Sequence, residues 1–337
     1  MVRIMLLRPG ALGDLLLAVP ALVALRTSVS DAHITLVGHA GGVKLLQEAG
    51  VADEGISQDD VRLLTLFLHH ATAPGEDGSK SALSTIGEFD IAVGWLKDAE
   101  GIVAASFKRM GIEKTVIAPS APQEGAQMHV ADHLLRTLSP LGISPVTPAR
   151  FPLRTSASAQ VWAEQYLSAF NLGVMPVVAV HPGSGSERKN WSPDKFAGAI
   201  DRLHREGVAV VLICGPADES AITGVMSCLD RSVPVACGLV VSRLAALIAK
   251  CNAYLGNDSG VTHLAALVGT PTIALFGPTD PAIWGPRGDR VEILRWQDDR
   301  GLLTPERVAR VVLEEVGKQA VETSSPMCYS GGQQERE

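Results

Sequence analysis

Short apolar runs alternate with amphipathic stretches along almost the whole chain, which predicts strands and helices taking turns. Arg3–Leu7 reads as a buried strand, followed by a glycine-rich loop over residues 8–13. A helix is predicted from Asp14 to about Arg26, with Pro20 tolerated only at a kink. Ile34–Gly38, Ile91–Val93 and Thr115–Ala118 read as further strands, and Val43–Ala49 and His129–Leu138 as helices. The polar stretch Ala71–Ser84 reads as an exposed loop. The same rhythm returns later. Ala157–Phe170 is predicted helical and Val177–Val180 a strand. Ser192 caps a helix with Pro193 at its first position. Val208–Cys214, Ala253–Leu255 and Thr272–Phe276 follow as strands. Asp218–Leu229, Ser242–Lys250 (capped by Ser242) and Val261–Val268 follow as helices.

Continuous apolar strands joined by helices imply parallel sheets covered on both faces. Residues 139–152 hold four prolines in 14 residues and read as a linker. The chain is therefore predicted to be α/β, with two facing Rossmann-like domains over 1–150 and 151–321 and a cleft between them. A polar tail over 322–337 is expected to be disordered.

Composition narrows this picture. A hydrophobic fraction of 46% over 337 residues supports two real cores. A net charge of −7 argues against nucleic acid as a partner. The five cysteines contain no C-x-x-C pair, lie mostly in apolar stretches and read as reduced, mostly buried thiols of a cytoplasmic protein. Arg8, Pro9, Gly10, Gly13 and Asp14 interrupt the apolar N-terminus, so a strand–loop–helix unit is expected there rather than a signal peptide.

The chemistry concentrates in glycine-rich loops after strands, where open α/β sheets bind ligands. Leu255–His263 carries Gly256 and Gly260 for tight turning and close approach. It also carries Asp258, Ser259 and His263 at the start of a helix whose N–H groups favour a phosphate. Taken singly, Asp258 and His263 read rather as a helix cap and a half-buried histidine; together with the glycines and the serine at a strand-to-helix junction they read as a site. The first loop, Arg8–Asp14, lacks dinucleotide and P-loop spacings. Asp14 reads either as a helix cap or as a general base for an acceptor hydroxyl. His181–Gly185 offers Gly183 and Ser184 to a phosphate, and Lys189 adds a point charge. The alternative for Glu187–Lys189 is a solvated surface run, and His181 at a strand end reads as structural. Glu219 suits a helix N-terminus or a ribose. No D-x-D, H-E-x-x-H or cysteine–histidine cluster is present, so no metal site is expected. The absence of G-x-S-x-G argues against a serine hydrolase of that kind.

Together these segments resemble the ADP-heptose:lipopolysaccharide heptosyltransferases of glycosyltransferase family 9. The resemblance rests on Ile4–Leu25 with R-P-G-A-L-G-D, H-P-G-S-G-S-x-x-K-x-W at His181–Trp191, and Gly215–Glu219. It extends through G-N-D-S-G-V-T-H-L-A-A at Gly256–Ala266 and the run Gly269–Pro281. It implies a GT-B fold and inverting, metal-independent transfer without a cofactor, by a protein in the cytoplasm with at most peripheral contact with the inner membrane. Asp14 would be the base. Lys189 would meet the donor's phosphates. Gly183, Ser184, Glu219, Asp258, Ser259, Gly260 and His263 would line the donor pocket, with Gly13 and Arg8 on the acceptor side. The implied partners are a nucleotide sugar, ADP-heptose, and a glycan or lipid-linked glycan acceptor. Lys97, Lys108 and Arg109 are the basic candidates for meeting that acceptor. Two other readings stay open: a nucleotide-sugar epimerase of similar architecture, and a non-catalytic nucleotide-sugar-binding module.

Overall fold

The structure, a computed structural model, describes residues 1–67, 86–144, 153–298 and 301–324. The expected loop at 71–84 lies outside the described residues. So do 145–152 of the expected linker and 325–337 of the expected tail.

The first half contains β1 (Val2–Arg8), α1 (Leu12–Leu16), α2 (Val19–Ser28), β2 (Ala32–Gly38), α3 (Ala40–Glu48) and β3 (Glu54–Ser57). It continues through β4 (Ile91–Trp95), α4 (Ile102–Arg109), β5 (Lys114–Ala118) and α5 (Val130–Arg136). The second contains α6 (Ala157–Ala169), β6 (Val177–His181), α7 (Pro193–Arg205), β7 (Ala209–Cys214), α8 (Glu219–Ser227), β8 (Val235–Cys237) and α9 (Val241–Ala249). It ends with β9 (Ala253–Asn257), α10 (Gly260–Leu267), β10 (Thr272–Phe276), α11 (Pro281–Trp284), β11 (Val291–Arg295) and α12 (Pro305–Ser324). A two-stranded antiparallel ladder pairs Gln297 with Leu302. The last turn of α12 runs into the first residues of the expected tail.

The first sheet has the order β3-β2-β1-β4-β5 and the second β11-β10-β9-β6-β7-β8. Every pairing within them is parallel. In each, chain order reverses beside a central strand, at β1/β4 and at β6/β9. Such switch points open the crevice in which α/β sheets bind ligands. They carry Arg8 and Gly94 in one sheet, and His181 opposite Gly256 in the other.

Alternating side chains of each central strand feed different cores, as the two-residue strand period requires. Ile4 and Leu6 of β1 face one apolar cluster, and Met5 and Leu7 the other. Val177 and Ala179 of β6 join the first of these, while Val178 and Val180 join a third. One cluster thus runs through both halves, from Ile4 on β1 to Tyr254 on β9.

Two sequence expectations need correction. The helix expected from Asp14 to Arg26 is two helices, broken at Leu17–Ala18. Pro20 has no N–H, and its ring would clash with the Leu16 carbonyl in a continuous helix. Ser242 is not the cap of its helix. The chain enters α9 from Val240, and Ser242 is buried in the first turn.

Candidate functional site

At the mouth of the first sheet, β1 delivers Arg8 and the following turn delivers Asp14. Arg8 is 3% exposed, and its Nη2 lies 3.2 Å from Asp14 Oδ1. Its guanidinium also donates to the carbonyls of Pro9 and Ser120. Burial lowers the Arg8 pKa, and the Asp14 charge opposes that shift. Asp14 Oδ2 accepts the Ala11 N–H at 3.0 Å, so the capping contact weighed from the sequence is present. The Asp14 side chain nevertheless stays 35% exposed. Of the basic acceptor candidates, Lys97 borders a shallow cavity beside Phe67, and Arg109 Nη2 donates to Ser106 Oγ at 2.7 Å.

The second mouth is more heavily cross-braced. Asn257, fully buried at the end of β9, donates through Nδ2 to the Pro182 carbonyl (2.7 Å) and accepts the Trp191 N–H through Oδ1 (3.0 Å). This clamps the loop after β6 against β9. Ser184 is turned into its own loop, with Oγ 2.7 Å from both the Ser186 carbonyl and Asn190 Oδ1. Lys189, in a short turn over 187–189, places Nζ 2.8 Å from Asp258 Oδ2. The same oxygen accepts Thr279 Oγ1–H at 2.7 Å. Gly183 leaves the space that Asp218 fills, since a Cβ there would sit 1.9 Å from Asp218 Oδ1. Glu219 is exposed in the first turn of α8. Beside this loop a cavity of about 560 Å³ opens between Ser184–Glu187 and the start of α8 at Ala217, Ser220 and Ala221.

The expected helix start is also found: Ser259 caps α10, with its side chain accepting the Thr262 N–H. Gly256, however, is not a turning glycine. It lies within β9 and makes room for the Tyr254 hydroxyl, which a Cβ would meet at 2.4 Å. Gly260 does permit close approach, but to the other half of the protein. A Cβ on it would sit 2.8 Å from the Gly13 backbone nitrogen. Backbone therefore meets backbone where α1 crosses α10.

That contact brings the two mouths together. A Cβ on Gly13 would lie 3.4 Å from His263 Cδ2. Burial drives the His263 pKa down to about 4; Asp258 and Asp14 oppose the shift, and Lys189 and His129 reinforce it. One neutral imidazole thus lies within electrostatic range of Asp14 from one half and of the Lys189–Asp258 pair from the other. Further out, Arg287 forms a bidentate pair with Asp132 at 2.7 and 2.5 Å. Buried His129 accepts the Ala131 N–H at Nδ1 and therefore donates from Nε2 to the Gly285 carbonyl at 2.8 Å.

Sequence reasoning did not select Asn257, Thr279 or Asp218 as site residues. Asn257 and Asp218 stood next to selected residues in glycine-rich strand ends, and that adjacency was the available signal. The thiols were expected to be mostly buried. Among the described ones only Cys251 is buried, while Cys228 and Cys237 are exposed. Both exposed residues fall just past the apolar runs that suggested burial.

Residues 144–304 match the profile of glycosyltransferase family 9 (heptosyltransferase). The match spans just under half of the chain. The chain is 29% identical over 287 residues to lipopolysaccharide heptosyltransferase 3 of Escherichia coli (strain K12), covering 81% of this chain and 82% of that protein. Its fold matches a family 9 glycosyl transferase from Veillonella parvula DSM 2008, with a TM-score of 0.79 at 20% identity, covering 94% and 98% of the two chains. It also matches the E. coli ADP-heptose lps heptosyltransferase II, with a TM-score of 0.74 at 19% identity, covering 95% and 100%. The architecture is therefore GT-B, and the chain is a glycosyltransferase, as the proteins it resembles are. Among its described residues no helix is long and apolar enough to cross a membrane.

Proposed function

We propose that this protein transfers a heptose, or a closely related sugar, from an ADP-sugar to a hydroxyl of a lipopolysaccharide inner-core or similar glycan. The transfer inverts the anomeric centre and uses no metal. Residues 1–150 take the acceptor and 151–321 the donor. The observation that carries this reading is the meeting at His263 of a half-exposed carboxylate from one half with a lysine–carboxylate pair from the other. ADP-heptose is named for the E. coli structural neighbour, and lipopolysaccharide heptosyl transfer for the E. coli relative.

In this mechanism Asp14 accepts the proton of the acceptor hydroxyl as its oxygen attacks the anomeric carbon. Arg8 orients the carboxylate. With the base on the opposite face from the leaving group, a single displacement inverts the sugar. Positive character develops on the sugar ring as the diphosphate departs. Lys189 and the N–H groups at the start of α10 stabilise the charge growing on that diphosphate. Lys189 exchanges part of its bond to Asp258 for the phosphate. Asp258, still held by Thr279, keeps the ammonium in place. Gly183, Ser184, Ser259 and Gly260 shape the phosphate pocket, and Glu219 takes the ribose hydroxyls. His263 stays neutral and packs the junction beside Gly13.

Incubation with ADP-heptose and a heptose-terminated core acceptor, with release of ADP as the readout, tests the proposal. Transfer is expected with the wild type and not with Asp14→Asn. Absence of ADP release with every heptosylated acceptor would overturn it.

A further inference from the structure

Three loops at the mouth of the second sheet are laced through one imidazole. His181, the last residue of β6, is 2% exposed. Its Nε2 lies 2.8 Å from Asp218 Oδ2, in the loop after β7, and that oxygen also accepts the Gly215 N–H at 2.7 Å. Its Nδ1 lies 3.2 Å from Ser259 Oγ, the cap of α10 after β9. Strands β7 and β9 flank β6, so His181 bridges the loops on both sides of its own strand.

The hydrogens of this chain can be placed. Burial works against a charged Asp218, but the His181 bond and the Gly215 N–H hold its pKa below the usual range, so it is a carboxylate. His181 Nε2 therefore carries a hydrogen and donates it. A neutral imidazole then has only a lone pair at Nδ1, and Ser259 donates its single hydroxyl hydrogen to it. Thr262 Oγ1 also lies 3.2 Å from Ser259 Oγ, but it is the weaker acceptor beside an imidazole lone pair, because one of its own lone pairs is already taken. Its own hydroxyl donates to the Asn257 carbonyl and accepts from Tyr254. With His181 neutral, turning the Ser259 hydrogen toward a ligand would leave the buried Nδ1 without a donor, so the resting hydroxyl presents lone pairs to an anion.

We propose that His181 is a proton-coupled positioning residue for the nucleoside diphosphate. When the diphosphate occupies the start of α10, His181 takes a proton from solvent at Nδ1 and donates that N–H to Ser259 Oγ. The Ser259 hydroxyl turns outward and donates to a phosphate oxygen. The proton returns to solvent when the nucleotide leaves, and no covalent bond between heavier atoms changes. This deepens the donor reading above and rests on it.

The surroundings suit such uptake. Asp218 supplies the counter-charge. Cys214 on β7 and Tyr254 on β9 lie within electrostatic range of Asp218, and burial keeps both neutral, raising Cys214 to about 12. On the loops after β6 and β9, Lys189 is already paired with Asp258. His263 on α10 is neutral, and Glu219 at the start of α8 adds a further negative charge.

Calorimetric titration of ADP into the full-length protein, in two buffers of different ionisation enthalpy, reads the protons taken up per nucleotide. The wild type is expected to take up about one proton more than His181→Gln, whose amide can still donate to Asp218 but cannot bind a proton. Equal uptake in the two proteins overturns the proposal. Ser259→Ala leaves the His181–Asp218 bond in place. It is expected to bind ADP about tenfold more weakly at pH 6.5 and to lose most of the wild type's fall in affinity toward pH 8.5. An unchanged pH slope in Ser259→Ala likewise overturns it. If the wild type binds no ADP, the donor reading fails, and this inference fails with it.

Discussion

The mouths of the two sheets are built from the same parts and finished differently. Each is a glycine-rich loop at a point where strand order reverses. The second is laced shut by side chains: His181 to Asp218 and Ser259, Asn257 to Pro182 and Trp191, and Lys189 to Asp258 and Thr279. The first holds one half-exposed carboxylate, steadied by a single buried arginine and one backbone N–H. A pocket for a fixed ligand benefits from pre-set donors, because little reorganisation then remains at the moment of reaction. A base that must meet incoming alcohols benefits from access. The contrast fits the proposed division, with recognition of the donor in the second half and proton transfer in the first.

Asp14→Asn tests that division most severely. Transfer is expected to fall about a thousandfold while ADP affinity stays within twofold of wild type. A parallel loss of ADP binding would mean that the two mouths do not divide their work. Lys189→Ala is expected to slow transfer about a hundredfold and to weaken ADP binding as well, because it removes the proposed phosphate contact and leaves Asp258 without its ion-pair partner. Paired measurement of kcat and ADP affinity separates it from Asp14→Asn.

Acid tests the junction between the mouths. An unfolded histidine binds a proton below about pH 6.5, whereas folded His263 binds one only below about 4. The unfolded chain therefore holds more protons across that window, and stability drops as pH falls from 6.5 toward 4. His263 accounts for about 3 kcal/mol of the drop. Burial shifts His129 in the same direction. Denaturant unfolding of the wild type and His263→Gln over this range should show a shallower acid loss in the variant. A smaller effect is expected at the rim. Arg287 and Asp132 are each about one-third exposed, so their pair should contribute under about 1 kcal/mol in a double-mutant cycle.

Much of this was legible in the chain because it is local. Strand-end glycines, the start of a helix at residues 259–262 and the apolar runs of both sheets each declare themselves within a few residues. The short edge strands β3 and β8 did not, since Glu54–Ser57 and Val235–Cys237 are too brief for any period to emerge. Helix α12 left a signal that went unread: Val308, Ala309, Val312 and Val316 fall on one face and are buried. The partners of the site residues were the hardest to foresee. Lys189 meets Asp258 from 69 positions away, and Gly13 meets Gly260 across the whole molecule. No local pattern encodes such meetings, because they are products of how the two sheets pack.

The backbone contact between Gly13 and Gly260 has a mechanical consequence. It acts as a rivet placed beside the blades' working edge. Any scissoring of one half against the other moves atoms in proportion to their distance from that point. Such a motion would displace the outer rim widely while Asp14, next along the chain from the rivet, hardly shifts against the start of α10.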